Sequence, residues 1–222
     1  MSKKYILLDT NVLIDYYVNN DHKIVKLIDF LIENAKKNKV QLLISNICIA
    51  EVFKVLAQEH YLKENKNCPI DKYWDIKQRF SDHVTRSFKY GRFQQFHQFD
   101  LKSLHIVNAD LIFRPAMLFA KSNYPKIHIS TIDLLLLAQG IELSFLFTDH
   151  KFCILTSDGF IYDLAKHLKT QKNGIVSKSE CIYKSQQESG NTEYLGDFNY
   201  PCVYNANDKN ILATVASILG SK

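Results

Sequence analysis

The sequence of 222 residues lacks the features that mark membrane and secreted proteins. No apolar run approaches the roughly 18 residues that a membrane-spanning helix needs. The longest runs, Ile127 to Ala138 and Ile141 to Phe147, are interrupted by polar residues. The apolar run near the N-terminus is too short for a signal peptide and contains Asp9. We therefore expect no membrane segment and no secretion signal.

Cysteine is scarce, and its spacing excludes two kinds of site. The five cysteines are spread along the chain and contain no Cys-x-x-Cys pair. This pattern favours reduced thiols in a cytoplasmic protein over a disulfide framework or a zinc site. The net charge of +5 is compatible with a polyanionic partner but is modest for this length, so charge alone does not indicate nucleic-acid binding.

The composition of 46% hydrophobic and 23% charged residues allows a buried core. Short apolar runs predict buried strands at residues 5–8, 41–45, 104–107 and 152–156, with a last short strand at 174–176. Helical patterns fall between and after them, at residues 12–17, 23–37, 46–60, 108–121, 131–143, 159–168 and 208–219. The alternation of strand and helix indicates an α/β fold with a central parallel sheet covered by helices.

The segment between the second and third predicted strands departs from this alternation. In residues 62–99 apolar positions recur every four residues, at Phe80, Val84 and Phe88, which predicts helices inserted between core units. Basic residues are interleaved there with aromatic ones (Arg79, Arg86, Lys89 and Arg92 among Phe88, Tyr90, Phe93 and Phe96). That mixture can bind a nucleic-acid strand, although an ordinary solvated helix is the favoured interpretation.

The predicted organisation is one α/β domain over residues 1–176, with a helical insertion at about 62–100. Beyond Ser177 the chain turns polar. We expect residues 177–222 to form a C-terminal extension that packs on the same domain.

Four acids occupy corresponding places in this pattern. Asp9 and Asp158 each follow a predicted strand, whereas Glu51 and Asp133 lie in the opening turns of predicted helices. The carboxyl ends of parallel strands meet at one edge of a sheet, where ligands bind. We therefore expect the four carboxylates to converge.

Each acid also has a purely structural interpretation. Asp9 and Asp158 could cap the helices that follow them. Asp133 could complete a capping box with Ser130. Glu51 could lie on the outer face of a half-exposed helix.

Four neighbouring carboxylates repel one another unless cations neutralise them. Oxygen-only ligation selects hard cations such as Mg²⁺ or Mn²⁺. One or two such ions at a carboxylate cluster can activate water for phosphodiester hydrolysis. The acids taken together therefore predict a metal-dependent hydrolase of phosphodiester bonds.

Four segments resemble the successive acidic motifs of the PIN-domain nucleases. These segments are LLDTNVLID, LLISNICIAEVF, STIDLLLLAQ and ILTSDGF, and they occur in the family's order over residues 5–168. The resemblance implies a three-layer α/β/α fold and Mg²⁺- or Mn²⁺-dependent cleavage of RNA, usually single-stranded. Many bacterial and archaeal members are toxins of toxin–antitoxin pairs and form dimers, so an antitoxin protein and a homodimer are expected partners.

The resemblance also assigns roles to residues. Asp9, Glu51, Asp133 and Asp158 match the acidic quartet, as catalytic residues and metal ligands. Asn11 matches a supporting polar residue, and Thr156 or Ser157 matches the hydroxyl beside the last acid. Because the gap between Asp133 and Asp158 is long, Asp149 is a rival fourth acid, and Asp163 is a candidate extra ligand.

Three other functions compete with a ribonuclease. A Mg²⁺-dependent DNA nuclease fits the same residues, because the sequence does not reveal contacts to a 2′-hydroxyl. A catalytically weak module that binds RNA or a protein partner keeps the fold without the chemistry, but the intact quartet argues against it. An aspartate-nucleophile phosphatase requires a second acid two residues after the first, and Asn11 occupies that place.

Overall fold

The structure, a computed structural model, describes residues 3–61, 70–85, 96–147, 151–170 and 200–220, together with residues 178, 181, 183 and 184. Its strands are β1 (Lys4–Leu8), β2 (Val40–Ser45), β3 (Phe96–Phe99), β4 (Phe152–Thr156) and β5 (Cys202–Asn205). Its helices are α1 (Thr10–Tyr17), α2 (His22–Lys36), α3 (Asn46–Tyr61), α4 (Ile70–Thr85), α5 (Ser103–Asn123), α6 (Thr131–Leu146), α7 (Gly159–Thr170) and α8 (Ile211–Ile218).

The strands form a five-stranded sheet in the order β3-β2-β1-β4-β5. The pairings of β1 with β2, of β2 with β3 and of β4 with β5 are parallel. Helices connect the strands along the chain and cover the sheet. The predicted α/β fold with a central parallel sheet, PIN-like in its three α/β/α layers, is confirmed.

The chain divides into two compact units, and the first contains residues 1–100 and 206–222. Its strand register places Ile6 opposite Leu42 and Leu42 opposite Phe96, and these three side chains are buried. The helix α2 begins at Asp21, whose carboxylate accepts hydrogen bonds from the backbone N–H groups of Lys23 and Ile24 at 3.0 Å each. The apolar stripe predicted for this helix is buried in the core.

The second unit contains residues 101–205. Its most apolar strand, β4, is buried along its whole length and pairs with β5. The helix α6 is buried on most of its circumference, as a helix that is apolar all round should be. The predicted domain boundary near residue 176 stays a prediction.

One segment that was predicted as a strand is part of a helix in the structure. The predicted strand at Leu104–Val107 is wrong, because these residues belong to α5. A short, mostly apolar run does not distinguish a strand from a helix, and here Leu104 and His105 are buried whereas Ile106 and Val107 are exposed. That one-sided burial is typical of a helix at the surface.

Two strands were not predicted. The strand β3 lies at the end of the segment interpreted as a helical insertion, and β5 lies in the polar extension. Both have only four residues and are not continuously apolar, so no periodicity marks them in the sequence. The insertion contains one helix in the described residues, α4, and its predicted apolar positions Phe80 and Val84 are buried. The strand predicted at 174–176 lies outside the described residues.

None of the helices in the described ranges combines the length and the apolar character that crossing a membrane requires.

A buried ionic cluster joins α5 to α6. The Glu142 carboxylate is buried and accepts hydrogen bonds from the Nζ of Lys102, at 2.6 Å, and from Nε2 of His105. The backbone N–H of Lys102 donates to Nδ1 of His105 at 2.9 Å, which leaves the ring hydrogen on Nε2. Burial by itself would raise the pKa of Glu142, but the bonds from His105 and Lys102 outweigh it and hold the pKa below its usual range.

We expect Glu142→Ala to lower the free energy of unfolding by about 1–3 kcal/mol at pH 7, because it leaves the buried Nε2–H of His105 without its acceptor. A depressed pKa contributes stability that is present above the unfolded value of about 4.3 and is lost as the pH falls through the folded value. The difference between wild type and variant should therefore shrink below about pH 4.3. Urea unfolding from pH 3 to pH 7 measures it.

Glu33→Ala is the matched control, since Glu33 pairs with Lys36 at the surface and its pKa is also lowered. An equal loss in both variants would contradict a special role for the buried cluster.

Candidate functional site

Asp9 lies where β1 ends and α1 begins. It occupies the N-cap position, and its backbone carbonyl accepts the first helical hydrogen bond, from Leu13 at 3.3 Å. Its side chain, however, accepts no capping hydrogen bond from the described backbone amides of α1. The carboxylate is only 2% exposed. Asp9 is therefore not an ordinary side-chain cap of α1.

Glu51 lies in the second turn of α3 and is half-buried. It shares a neighbour with Asp9, the buried thiol of Cys48. Burial, followed by the negative charge of Asp9 and with a smaller effect of Glu51, raises the pKa of Cys48 to about 12. The first unit therefore brings two acids of the predicted quartet to the same thiol.

Asp133 lies in the first turn of α6 and is half-buried. Its Oδ2 accepts a hydrogen bond from the backbone N–H of Ser130 at 3.3 Å, and the Ser130 hydroxyl accepts one from Ile132 at 3.1 Å. This is the capping box that the sequence indicated. Capping orients the carboxylate at the helix N-terminus, where the helix dipole favours its charged form.

Asp158 caps the start of α7. Its Oδ1 accepts hydrogen bonds from the backbone N–H groups of Phe160, at 2.7 Å, and of Ile161, at 3.4 Å. The backbone N–H of Asp158 donates in turn to the hydroxyl of Thr156 at 2.9 Å. The buried Thr156 thus fixes the turn between β4 and Asp158.

Tyr124, at the end of α5, was missed in the sequence. Its hydroxyl donates a hydrogen bond to Oδ2 of Asp163, and Asp158 is close enough to add to the negative charge around it. The bond to Asp163, together with these charges, raises the pKa of Tyr124. Nothing in the surrounding sequence marks this residue, because the contact joins positions 39 residues apart.

The remaining predicted residues are placed as follows. Asn11 lies half-buried in the first turn of α1, and Ser157 lies half-buried between Thr156 and Asp158. Asp149, the rival fourth acid, lies outside the described residues.

Two pairs of candidate acids each share a neighbouring side chain, one pair in each unit. Asp9 and Glu51 both act on Cys48, and Asp158 and Asp163 both act on Tyr124. In the part of the chain that the structure describes, no group of three or more histidine, cysteine, aspartate or glutamate side chains is arranged to hold a metal ion. The donors themselves are carboxylates, the ligands that Mg²⁺ and Mn²⁺ prefer.

The interleaved basic and aromatic residues are only partly described. Phe96 is fully buried in β3, so it cannot stack on a base. Arg79 lies over the ring of Tyr17 and 4.0 Å from Asp75. An aromatic residue that the pattern omitted, Trp74, is instead 54% exposed on α4, with the Nζ of Lys77 4.8 Å from its ring centroid.

Comparison with known proteins identifies one sequence family and a distant structural likeness. Residues 5–103 match the family described as PIN domain (PIN_3), which confirms the resemblance and supports a nuclease. A matching solved structure is VapBC2 from Rickettsia felis, bound to a DNA fragment from its promoter. It is 14% identical, with a TM-score of 0.43, over 69% of this chain and 88% of that one. Comparison with curated protein sequences gives no significant match.

Substitutions at Asp158 separate its capping role from any catalytic one. Asn caps a helix about as well as Asp, whereas Ala does not. We expect Asp158→Asn to leave the free energy of unfolding nearly unchanged and Asp158→Ala to lower it by about 1 kcal/mol. Thermal or urea unfolding of both variants measures this difference, and equal destabilisation by Asn and Ala would refute the capping assignment.

Proposed function

We propose, on the premise of the PIN domain that residues 5–103 match, that this protein is a metal-dependent endoribonuclease. Asp9, Glu51, Asp133 and Asp158 are its catalytic residues and the ligands of Mg²⁺ or Mn²⁺. The observation that carries the proposal is that Asp9, buried at the end of β1, and Glu51 act on the same thiol.

The proximity of Asp9 and Glu51 explains why a cation fits. Both carboxylates act on the thiol of Cys48, so two negative charges lie in one part of the first unit. Carboxylates that are close together repel each other. A divalent cation relieves that repulsion, and carboxylate oxygens are the ligands that Mg²⁺ and Mn²⁺ prefer.

The other residues of the proposed site hold the acids in place. The Thr156 hydroxyl fixes the backbone of Asp158, and the N-terminal turn of α7 fixes one of its carboxylate oxygens. The Ser130 backbone fixes Asp133 in the same way. When bound, Mg²⁺ or Mn²⁺ supplies a water of lowered pKa and neutralises charge on the phosphate.

Asp163 is proposed as an additional acid beside Asp158. Its carboxylate is oriented by the Tyr124 hydroxyl, so it has the fixed position that a ligand or a water-binding group needs. Asp149 remains the alternative. Asn11 and Ser157 are proposed as supporting residues because of their positions in the chain. Asn11 is separated from Asp9 by one residue, and Ser157 directly precedes Asp158.

The proposed partners are a single-stranded RNA substrate and a protein. The resemblance to PIN-domain toxins favours an antitoxin as that protein and a homodimer as the assembly, in the cytoplasm. The outer face of α5 supports a protein partner, since five large apolar side chains are exposed on it: Ile106, Val107, Phe113, Met117 and Leu118.

A DNA nuclease is the second candidate, and Trp74 provides the means to distinguish it. Trp74 is the chain's one tryptophan and is exposed on α4, so fluorescence excited selectively in tryptophan reports on this helix. Stacking of an unpaired base on the indole beside Lys77 should quench that fluorescence.

We expect single-stranded RNA to quench Trp74 more strongly than DNA of the same sequence, in an Asp9→Asn background that prevents cleavage. A fluorescence titration at two salt concentrations measures both affinities and their salt dependence. Stronger binding of DNA would favour the DNA nuclease. The absence of quenching by either strand would show that α4 is an ordinary solvated helix.

We expect cleavage of labelled single-stranded RNA in Mg²⁺ or Mn²⁺, and a rate at least about 100-fold lower in EDTA or in Asp9→Asn. Loss of a direct ligand should exceed the 10–100-fold effect of residues that only orient ligands. Asp15→Asn is the matched control. Asp15 lies on α1, the helix that follows Asp9, and its carboxylate accepts a hydrogen bond from the side-chain amide of Asn19 at 2.8 Å.

Cleavage that persists in EDTA or in Asp9→Asn would overturn the metal-nuclease proposal. Binding of RNA without cleavage under any of these conditions would favour the catalytically weak binding module.

A further inference from the structure

Two cysteines of the second unit lie side by side in the sheet. Cys153 on β4 and Cys202 on β5 are register partners, and the two strands are parallel. Adjacent strands are about 4.8 Å apart, which lies within the Cα separation of about 4.4–6.8 Å that a disulfide permits. Both residues are reduced thiols in the structure. In-register residues of parallel strands point to the same face of the sheet, so the two sulfurs share one side.

Tyr204 supports this placement. It lies two residues after Cys202, on the same face of β5. Burial, with smaller contributions from Cys153 and Cys202, raises the pKa of Tyr204. Both thiols are therefore close to the same phenol.

Cys202 is the accessible member of the pair. It is half-exposed and lines a cavity of about 230 Å³ with Lys166, Lys169 and Tyr204. The Nζ of Lys169 donates a hydrogen bond to its Sγ at 3.5 Å. The ammonium is placed to stabilise negative charge that develops when this sulfur reacts with an electrophile. Cys153, at 7% exposure, is shielded from direct attack by solutes.

We propose that Cys202 is an oxidant-sensitive thiol that forms a reversible disulfide with Cys153. This modification site is independent of the nuclease proposed above. In the first step the Cys202 thiolate attacks a peroxide oxygen; an S–O bond forms, the O–O bond breaks and hydroxide leaves. The sulfur is oxidised by two electrons and the peroxide is reduced.

In the second step the Cys153 sulfur attacks Cys202. The S–S bond forms, the S–O bond breaks, and the departing hydroxide takes the proton of Cys153. Two thiols and one hydrogen peroxide thus yield one disulfide and two waters. Because Cys153 lies next to Cys202, it captures the sulfenic acid before further oxidation.

The other described cysteines lack this combination of properties. Cys48 is 1% exposed, and burial together with Asp9 raises its pKa to about 12. Cys181 is exposed, but it lies on neither β4 nor β5. Cys68 lies outside the described residues. These cysteines therefore serve as internal controls for the reaction of Cys202 with peroxide.

Treatment of the purified full chain with hydrogen peroxide tests the proposal. Intact-mass spectrometry should show the loss of two hydrogen atoms. The number of titratable thiols, five in the reduced chain, should decrease by two. Peptide mapping should find Cys153 linked to Cys202, and dithiothreitol should restore both thiols. A disulfide between other cysteines, or oxidation at Cys48 or Cys181 first, would overturn the proposal.

Substitutions identify the role of each residue. Cys202→Ser should abolish the linkage, whereas Cys153→Ala should leave a sulfenic acid at Cys202 that dimedone traps. Cys202→Ser replaces a half-exposed residue, so it keeps the test decisive if Cys153→Ala fails to fold. An unchanged linkage pattern in Cys202→Ser would refute the assignment.

Lys169→Met should slow the reaction of Cys202 with peroxide about fivefold, the factor that one charge at this distance provides in a water-like medium. Lys166→Met is the matched control, because Lys166 lines the same cavity but lies over the ring of Tyr162, 4.1 Å from its centroid. Equal rates in wild type and Lys169→Met would contradict a role for the ammonium.

Discussion

The burial of one carboxylate constrains the first unit of this protein. The strand β1 enters the core with Leu7 and Leu8 fully buried, and Asp9 follows them before the chain reaches solvent. The helix α1 begins at Asp9 without using its side chain as a cap. A carboxylate in such a place keeps its charge only where neighbouring groups or a cation stabilise it. In the proposed nuclease this carboxylate is a metal ligand, and its oxygens suit a hard cation.

The other acids show that a capping role is compatible with the proposed catalytic one. Asp158 and Asp133 both cap helices, and each capping bond also fixes the direction of a carboxylate. A ligand must be held within narrow limits to bind a metal well. Helix capping provides that precision at no additional cost in buried charge, because the backbone amides of the helix already stabilise the anion. The sequence alone could not rank the two roles, and the structure shows why they need not exclude each other.

Most of the fold was predictable because its elements are long and periodic. The strands β1, β2 and β4 are continuous apolar runs, and α2 has a single apolar stripe, so local pattern identified them. The strands β3 and β5 were not predictable, since each has four mixed residues stabilised only by pairing with a distant neighbour. The strand predicted at Leu104–Val107 was wrong for a related reason, because the apolar residues there are divided between the core and the surface. Tyr124 and the Lys102–His105–Glu142 cluster were invisible for lack of any local signal, being created by contacts between distant residues.

The division of the first unit between two stretches of chain has a consequence for biosynthesis. Residues 206–220 belong to that unit, and the carbonyl of Asn207 accepts a hydrogen bond from Lys23. These residues leave the ribosome only after the whole second unit has been translated. The nascent unit must therefore wait in an incomplete state, with part of its surface not yet covered, for the time that about a hundred further residues take at roughly 5–20 residues per second. During that interval of several seconds the incomplete unit exposes apolar surface that the completed fold covers, and such surface is prone to aggregation.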